Sequence, residues 1–155
     1  MKKEVSIKKI RQDAEELFRK GDFYCSEALT YSFKENFELD MPDEMVAMAS
    51  GFPVGIGKSK CVCGAVSGGI LTLGYFFGRT KGGDPKVDKT LKLANELQQS
   101  FKDNHGVLCC KIHTKGMDMA SGEHKEQCIS FTGEVAENLA KIVVRELDIT
   151  NLDEQ

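Results

Sequence analysis

The sequence predicts an all-α fold: a compact single-domain bundle of about five to six helices around a central apolar, glycine-rich helix. Three observations carry this. Apolar residues recur at the spacing of one helix face, as in Ile7, Ile10, Ala14, Leu17 and Phe18. Helix starts and stops punctuate the chain at regular intervals. No stretch alternates apolar and polar residues for the length of a useful strand. At 155 residues the chain is long enough to bury one core without crosslinks, so the whole of 1–155 reads as one helical domain.

The first helix spans about residues 5 to 20 and stops at Gly21, and Asp22 caps a second with Cys25 in its first turn. Ala28, Leu29, Ser32 and Phe33 mark the core face of that second helix. Met41-Pro42-Asp43-Glu44 places a proline and two carboxylates where a helix N-terminus accepts them, opening a short third helix that ends near Ser50-Gly51. Met45 and Met48, three apart on it, fit core packing better than soft-metal ligation. Residues 64 to 78 carry no charge, so the fourth helix should be apolar around its circumference and buried centrally. It is too short to span a bilayer, which takes about 20 residues. Asp84-Pro85 starts a fifth helix with Val87, Leu91, Ala94, Leu97 and Phe101 on its core face, closed by Asn104-His105-Gly106. Val135, Ala136, Leu139, Ile142, Val143 and Leu147 carry the last. Between the fifth and last helices lies an irregular segment with Cys109, Cys110 and Cys128.

Composition excludes several functions. Lys and Arg number 21 against 24 Asp and Glu, a formal charge of −3, with the signs interleaved, so nothing resembles a nucleic-acid footprint. The lysine-rich start is followed by an amphipathic charged helix rather than the apolar core of a signal peptide, which argues against export. A cytoplasmic location is expected, and six cysteines in a reducing compartment point to metal or redox chemistry more than to structural disulfides.

The stretch GIGKSKCVCGAVSGG, residues 55 to 69, holds the most chemistry. Gly57-Lys58-Ser59 supplies the ending of a phosphate loop, but Gly51 lies one residue too far upstream and the segment before it is helical rather than a strand. Gly64 and Gly68, with Gly74 and Gly78 beyond, cost helix stability unless something approaches closely. A neighbouring helix is the plainer occupant and a flat cofactor the sharper one. Cys63 begins the apolar helix, where unsatisfied amides and the positive end of the helix dipole favour thiolate. Cys25 opens the second helix, and Cys128 lies close to the start of the last. Lys58 and Lys60 would raise the potential around Cys61 and Cys63 unless they are merely solvated. His105, His113 and His124 read as surface histidines, with His113 three residues after Cys110 the one to watch.

Cys25-Ser-Glu-Ala-Leu, then ASGFPVGIG, then CGAVSGGILTLGYFFGR, then single cysteines after the fifth helix and before the last, resemble the C_GCAxxG_C_C family of redox-active proteins over roughly residues 20 to 145. Cys63-Gly64-Ala65-Val66-Ser67-Gly68 is the most specific part. The resemblance implies four recurrent cysteines at Cys25, Cys63, Cys110 and Cys128; Lys111 after Cys110 selects it over Cys109. It also implies an electron-transfer partner protein. Cys61 and Cys109 depart from the pattern, and there is no C-x-x-C-H for covalent haem.

Three chemistries follow. In thiol and disulfide exchange, Cys63 would attack and Cys25, Cys110 or Cys128 would resolve. In a metal centre, the same four would ligate an iron-sulfur cluster or zinc, although none belongs to a C-x-x-C knuckle. In a non-catalytic binding module, the cysteines would be passengers.

Overall fold

The computed structural model describes residues 1–154 and is mostly helical. Seven helices run as α1 (Ile7–Lys20), α2 (Cys25–Asn36), α3 (Asp43–Met48), α4 (Gly64–Phe77), α5 (Lys86–His105), α6 (Cys110–His113) and α7 (Lys125–Glu146). The helix count exceeds the expected five to six because Cys110–His113 closes one turn inside the segment that reads as irregular; four residues are too few to show a period. α7 begins ten residues before the apolar repeat at Val135, with Ile129 and Phe131 buried on the added turns.

Local chemistry explains the ends. Ser6 caps α1 by accepting from the Lys9 amide at 3.0 Å. Gly21 ends it in the left-handed conformation at φ 83°, its amide returning to the Leu17 and Phe18 carbonyls. Two short strands, unexpected from the sequence, form a parallel pair: β1 (Glu4–Val5) on β2 (Thr150–Asn151). They tie the chain's two ends together, and the Asp153 carboxylate adds bonds to Ser6 Oγ and the Lys8 amide. Two-residue strands have no alternation to detect.

One apolar core runs from Val5 to Ile149, with Phe33, Phe37, Phe101, Leu29, Leu73 and Leu139 among its fully buried side chains. The broadest helix contacts are α1 on α7 and α2 on α4, while α4 also meets α5 and α7. α4 is not buried on all sides, as its lack of charge suggested: Ile70, Leu71, Tyr75 and Phe76 keep partial exposure. Two other apolar assignments shift. On α5 the core face is Leu93, Leu97 and Phe101, and Leu91 is 63% exposed. α3 buries none of its residues, so Met48, 59% exposed, is not a core methionine.

The α2–α4 contact brings the candidate site together. A Cβ placed on Gly68 would lie 2.6 Å from Ser26 Cα, so only glycine lets the two backbones come this near. Ser26 Oγ donates to the Ala49 carbonyl at 2.7 Å, and the Thr30 and Thr72 hydroxyls meet at 2.9 Å across the same seam. A Cβ on Gly64 would likewise reach Cys25 Sγ at 2.7 Å and the Phe52 carbonyl at 2.8 Å. At both glycines the close approach is made by protein.

Candidate functional site

Four helix starts carry the four cysteines. Cys25 is the first residue of α2, Cys63 the N-cap of α4, Cys110 the first residue of α6, and Cys128 lies in the opening turn of α7. The fourth, at Cys110, is invisible in the sequence because its helix is a single turn.

The segments that carry Cys63 and Cys110 are tied together through their backbones. The Cys63 amide donates to the Leu108 carbonyl at 2.8 Å and the Cys110 amide to the Cys61 carbonyl at 2.6 Å, which makes Val62 and Cys109 an antiparallel bridge. Lys111 continues the ladder onto the Lys60 carbonyl at 2.9 Å. These bonds fix the register between the loop before α4 and the turn before α6.

The segment feeding that bridge is strained. Val54, Gly55, Ile56, Gly57 and Lys58 all adopt positive φ in succession, at 54°, 68°, 67°, 59° and 63°, and Lys60 follows at 58°. This is a left-handed turn, closed by the Ile56 amide on Phe52 O at 2.8 Å and the Cys61 amide on Gly55 O at 2.8 Å. Glycine takes this conformation freely, but Val54 and Ile56 each carry a cost on the order of 1–2 kcal/mol there. The G-x-G pair seen in the sequence is thus neither a phosphate loop nor a dinucleotide fingerprint.

A cleft of about 810 Å³ opens onto the sulfurs. Cys25, Cys110 and Cys128 line it, with Lys58, Lys60 and His124 among its polar residues. Cys63 lies behind this surface, half-buried against the core. All six thiols are free. Cys61 is exposed, and Cys109 rests its sulfur 3.9 Å from the Lys60 carbonyl.

Electrostatics favours neutral thiols in the resting protein. Burial pushes the Cys63 thiol up, against the pull of the Ala65 and Val66 amides. The pKa is therefore raised rather than lowered as expected for a helix start, because burial outweighs the pull of these amides. Burial likewise raises Cys25, with thiolates of Cys63 and Cys128 adding to the rise. Cys128 is pushed up to about 12 by burial and by Cys63 and Cys110. Cys110 is raised by burial as well, but the Thr114 hydroxyl and the Lys60 ammonium draw it back. The charge of a thiolate is thus felt between Cys25 and Cys63, Cys25 and Cys128, Cys63 and Cys110, Cys63 and Cys128, and Cys110 and Cys128.

No set of three or more Cys, His, Asp or Glu side chains among the described residues is disposed to hold a metal ion, so the ligand set inferred for iron-sulfur or zinc is a group of neighbouring thiols rather than a formed centre. The histidines divide. His105 meets Glu134 at 2.7 Å, and His113 Nε2 meets the Val107 carbonyl at 2.7 Å. Both stack with Phe101 and Phe131, so they belong to an aromatic cluster and are not the surface histidines expected. His124 faces the cleft, its buried Nδ1 without a hydrogen-bond partner among the described residues. It was expected as a surface histidine; its position four residues before Cys128, one helical turn away, was the available signal of a place in the site.

No helix among the described residues is long and apolar enough to cross a membrane. A family model described as "Putative redox-active protein (C_GCAxxG_C_C)" matches residues 23–142. No curated protein and no solved structure matches the chain.

Proposed function

Because the chain belongs to the C_GCAxxG_C_C family, whose description is redox activity, we propose that it carries out thiol and disulfide exchange at Cys25, Cys63, Cys110 and Cys128, in the reducing setting of the cytoplasm. The observation that supports this reading most is that Cys25, Cys110 and Cys128 line one open cleft while Cys63 feels the charge of Cys110 and is felt at Cys25 and Cys128. Exchange needs an accessible attacking thiol and a second sulfur within reach of the mixed disulfide. Cys110 suits the first role better than Cys63: it lines the cleft, and while burial raises its pKa, Thr114 and Lys60 draw it back. Cys63 and Cys128 suit the second, since each interacts with Cys110.

The chemistry is balanced within the protein. One thiolate attacks a substrate disulfide, the substrate's sulfur-sulfur bond breaks, and one substrate thiolate leaves. A second cysteine then displaces the other half, so two protein thiols give up two electrons and two protons. A redox partner protein would return them. Cys61 and Cys109 stand outside this cycle.

The test is intact mass and disulfide mapping after oxidation, with and without reductant. Loss of two hydrogens and a Cys110 crosslink to Cys63 or Cys128 is expected. A single slow alkylation rate for all six thiols, with no crosslink among the four, would sink the reading. A coloured, metal-bearing protein after anaerobic purification would replace exchange by a metal centre.

A further inference from the structure

Lys58 and Lys60 reach the thiol cleft from the strained left-handed turn. Neither ammonium has an ion-pair partner among the described residues. Lys60 lines the cleft together with Cys110, and its charge favours the Cys110 thiolate. Beside them His124 leaves its buried Nδ1 unpartnered. Of the other charged groups in the cleft, Lys125 Nζ donates to the Arg19 carbonyl at 3.1 Å, and Glu27 accepts from the Tyr24 amide and from Ser50 Oγ. Asp22, on the turn between α1 and α2, is the carboxylate without a bond of its own there. Cations at the rim of a concave surface concentrate anions and speed their arrival. Backbone held in a costly conformation is retained where the surroundings and the function require it.

We infer that the cleft takes a small anionic disulfide as its oxidant, with Lys58 and Lys60 holding the substrate's carboxylates while Cys110 attacks its sulfur. This rests on the exchange reading above and names the substrate class for it. The Cys110 thiolate forms a mixed disulfide and releases one anionic thiolate. The second protein thiolate, from Cys63 or Cys128, closes the protein disulfide and releases the other. The small disulfide gains two electrons and leaves as two thiols.

Three probes of similar chemistry and different charge test this: glutathione disulfide, which is anionic, 2-hydroxyethyl disulfide, which is neutral, and cystamine, which is cationic. The reduced full-length chain should be oxidised in that order of rate at low salt, with the anionic-to-neutral ratio roughly tenfold or more. In K58N/K60N, chosen because asparagine tolerates the left-handed conformation, that ratio should collapse toward one. Using a ratio cancels any change in Cys110 reactivity from the loss of Lys60. Equal rates for the three probes, or a ratio the double variant leaves intact, would overturn the inference while leaving exchange standing. Failure of every probe to oxidise the four thiols would remove the exchange reading itself.

Discussion

The Cys63 amide donates to the Leu108 carbonyl at 2.8 Å, and this one bond couples the cap of a long apolar helix to the turn that presents Cys110. It sets which sulfurs are neighbours. Cys63 and Cys128 each feel the charge of a Cys110 thiolate. Mapping of the oxidised protein should therefore give Cys110 linked to Cys63 or Cys128 as the main product. A dominant Cys25–Cys110 link would mean that the bridge opens before oxidation.

Stability should depend on alkaline pH through the buried thiols. Cys128 holds its proton to about 12 in the folded protein, against ~8.5 in an unfolded chain. A folded pKa above the unfolded one adds stability that is complete below ~8.5 and is lost as pH rises toward 12, because the unfolded thiol ionises first. Urea unfolding under reducing conditions should weaken from pH 9 upward, by at most about 1.4 kcal/mol per pH unit for each such thiol. Cys128→Ser should flatten the decline, and the difference between the two proteins isolates this group from lysine and tyrosine titration. Parallel curves for the two would refute the assignment.

Glycines in α4 should respond oppositely to substitution. Gly68→Val drives new atoms into the Ser26 backbone and should cost about 1–3 kcal/mol or more as the helices part. Gly74 has open space around its Cβ position, so Gly74→Ala should stabilise by roughly 0.5–1 kcal/mol. Chemical denaturation checks both. Two substitutions of the same sign and size would mean that α2 and α4 do not approach as described.

The left-handed turn gives a further contrast. Ile56 is 42% exposed, so Ile56→Asn sacrifices little burial and should relieve about 1 kcal/mol of backbone cost. For a chain of this length that is roughly 2–4 °C in Tm. Gly55→Ala should destabilise, since a Cβ there overlaps the backbone at Lys60 and Cys61. An unchanged Tm in both would deny the strained conformation.

The long helices were legible because each repeats its apolar face over several turns, and Gly21 and Asp84-Pro85 mark boundaries chemically. Leu91 misled because period alone cannot choose between two adjacent stripes of α5; Leu93 wins because it, and not Leu91, meets the core. The α6 turn and the β1–β2 pair escaped notice because neither is long enough to repeat.

What the sequence determined by itself is the helical class and the family to which the chain belongs, since both are properties of residue order. Tertiary structure decided the chemistry of the cysteines. Burial at Cys63 outweighs the pull of the Ala65 and Val66 amides, the bond to Leu108 ties its segment to the one carrying Cys110, and the turn with Lys58 and Lys60 meets His124 at one cleft. A thiol's charge depends on how much water and which neighbours surround it, and those are set only when distant parts of the chain pack together.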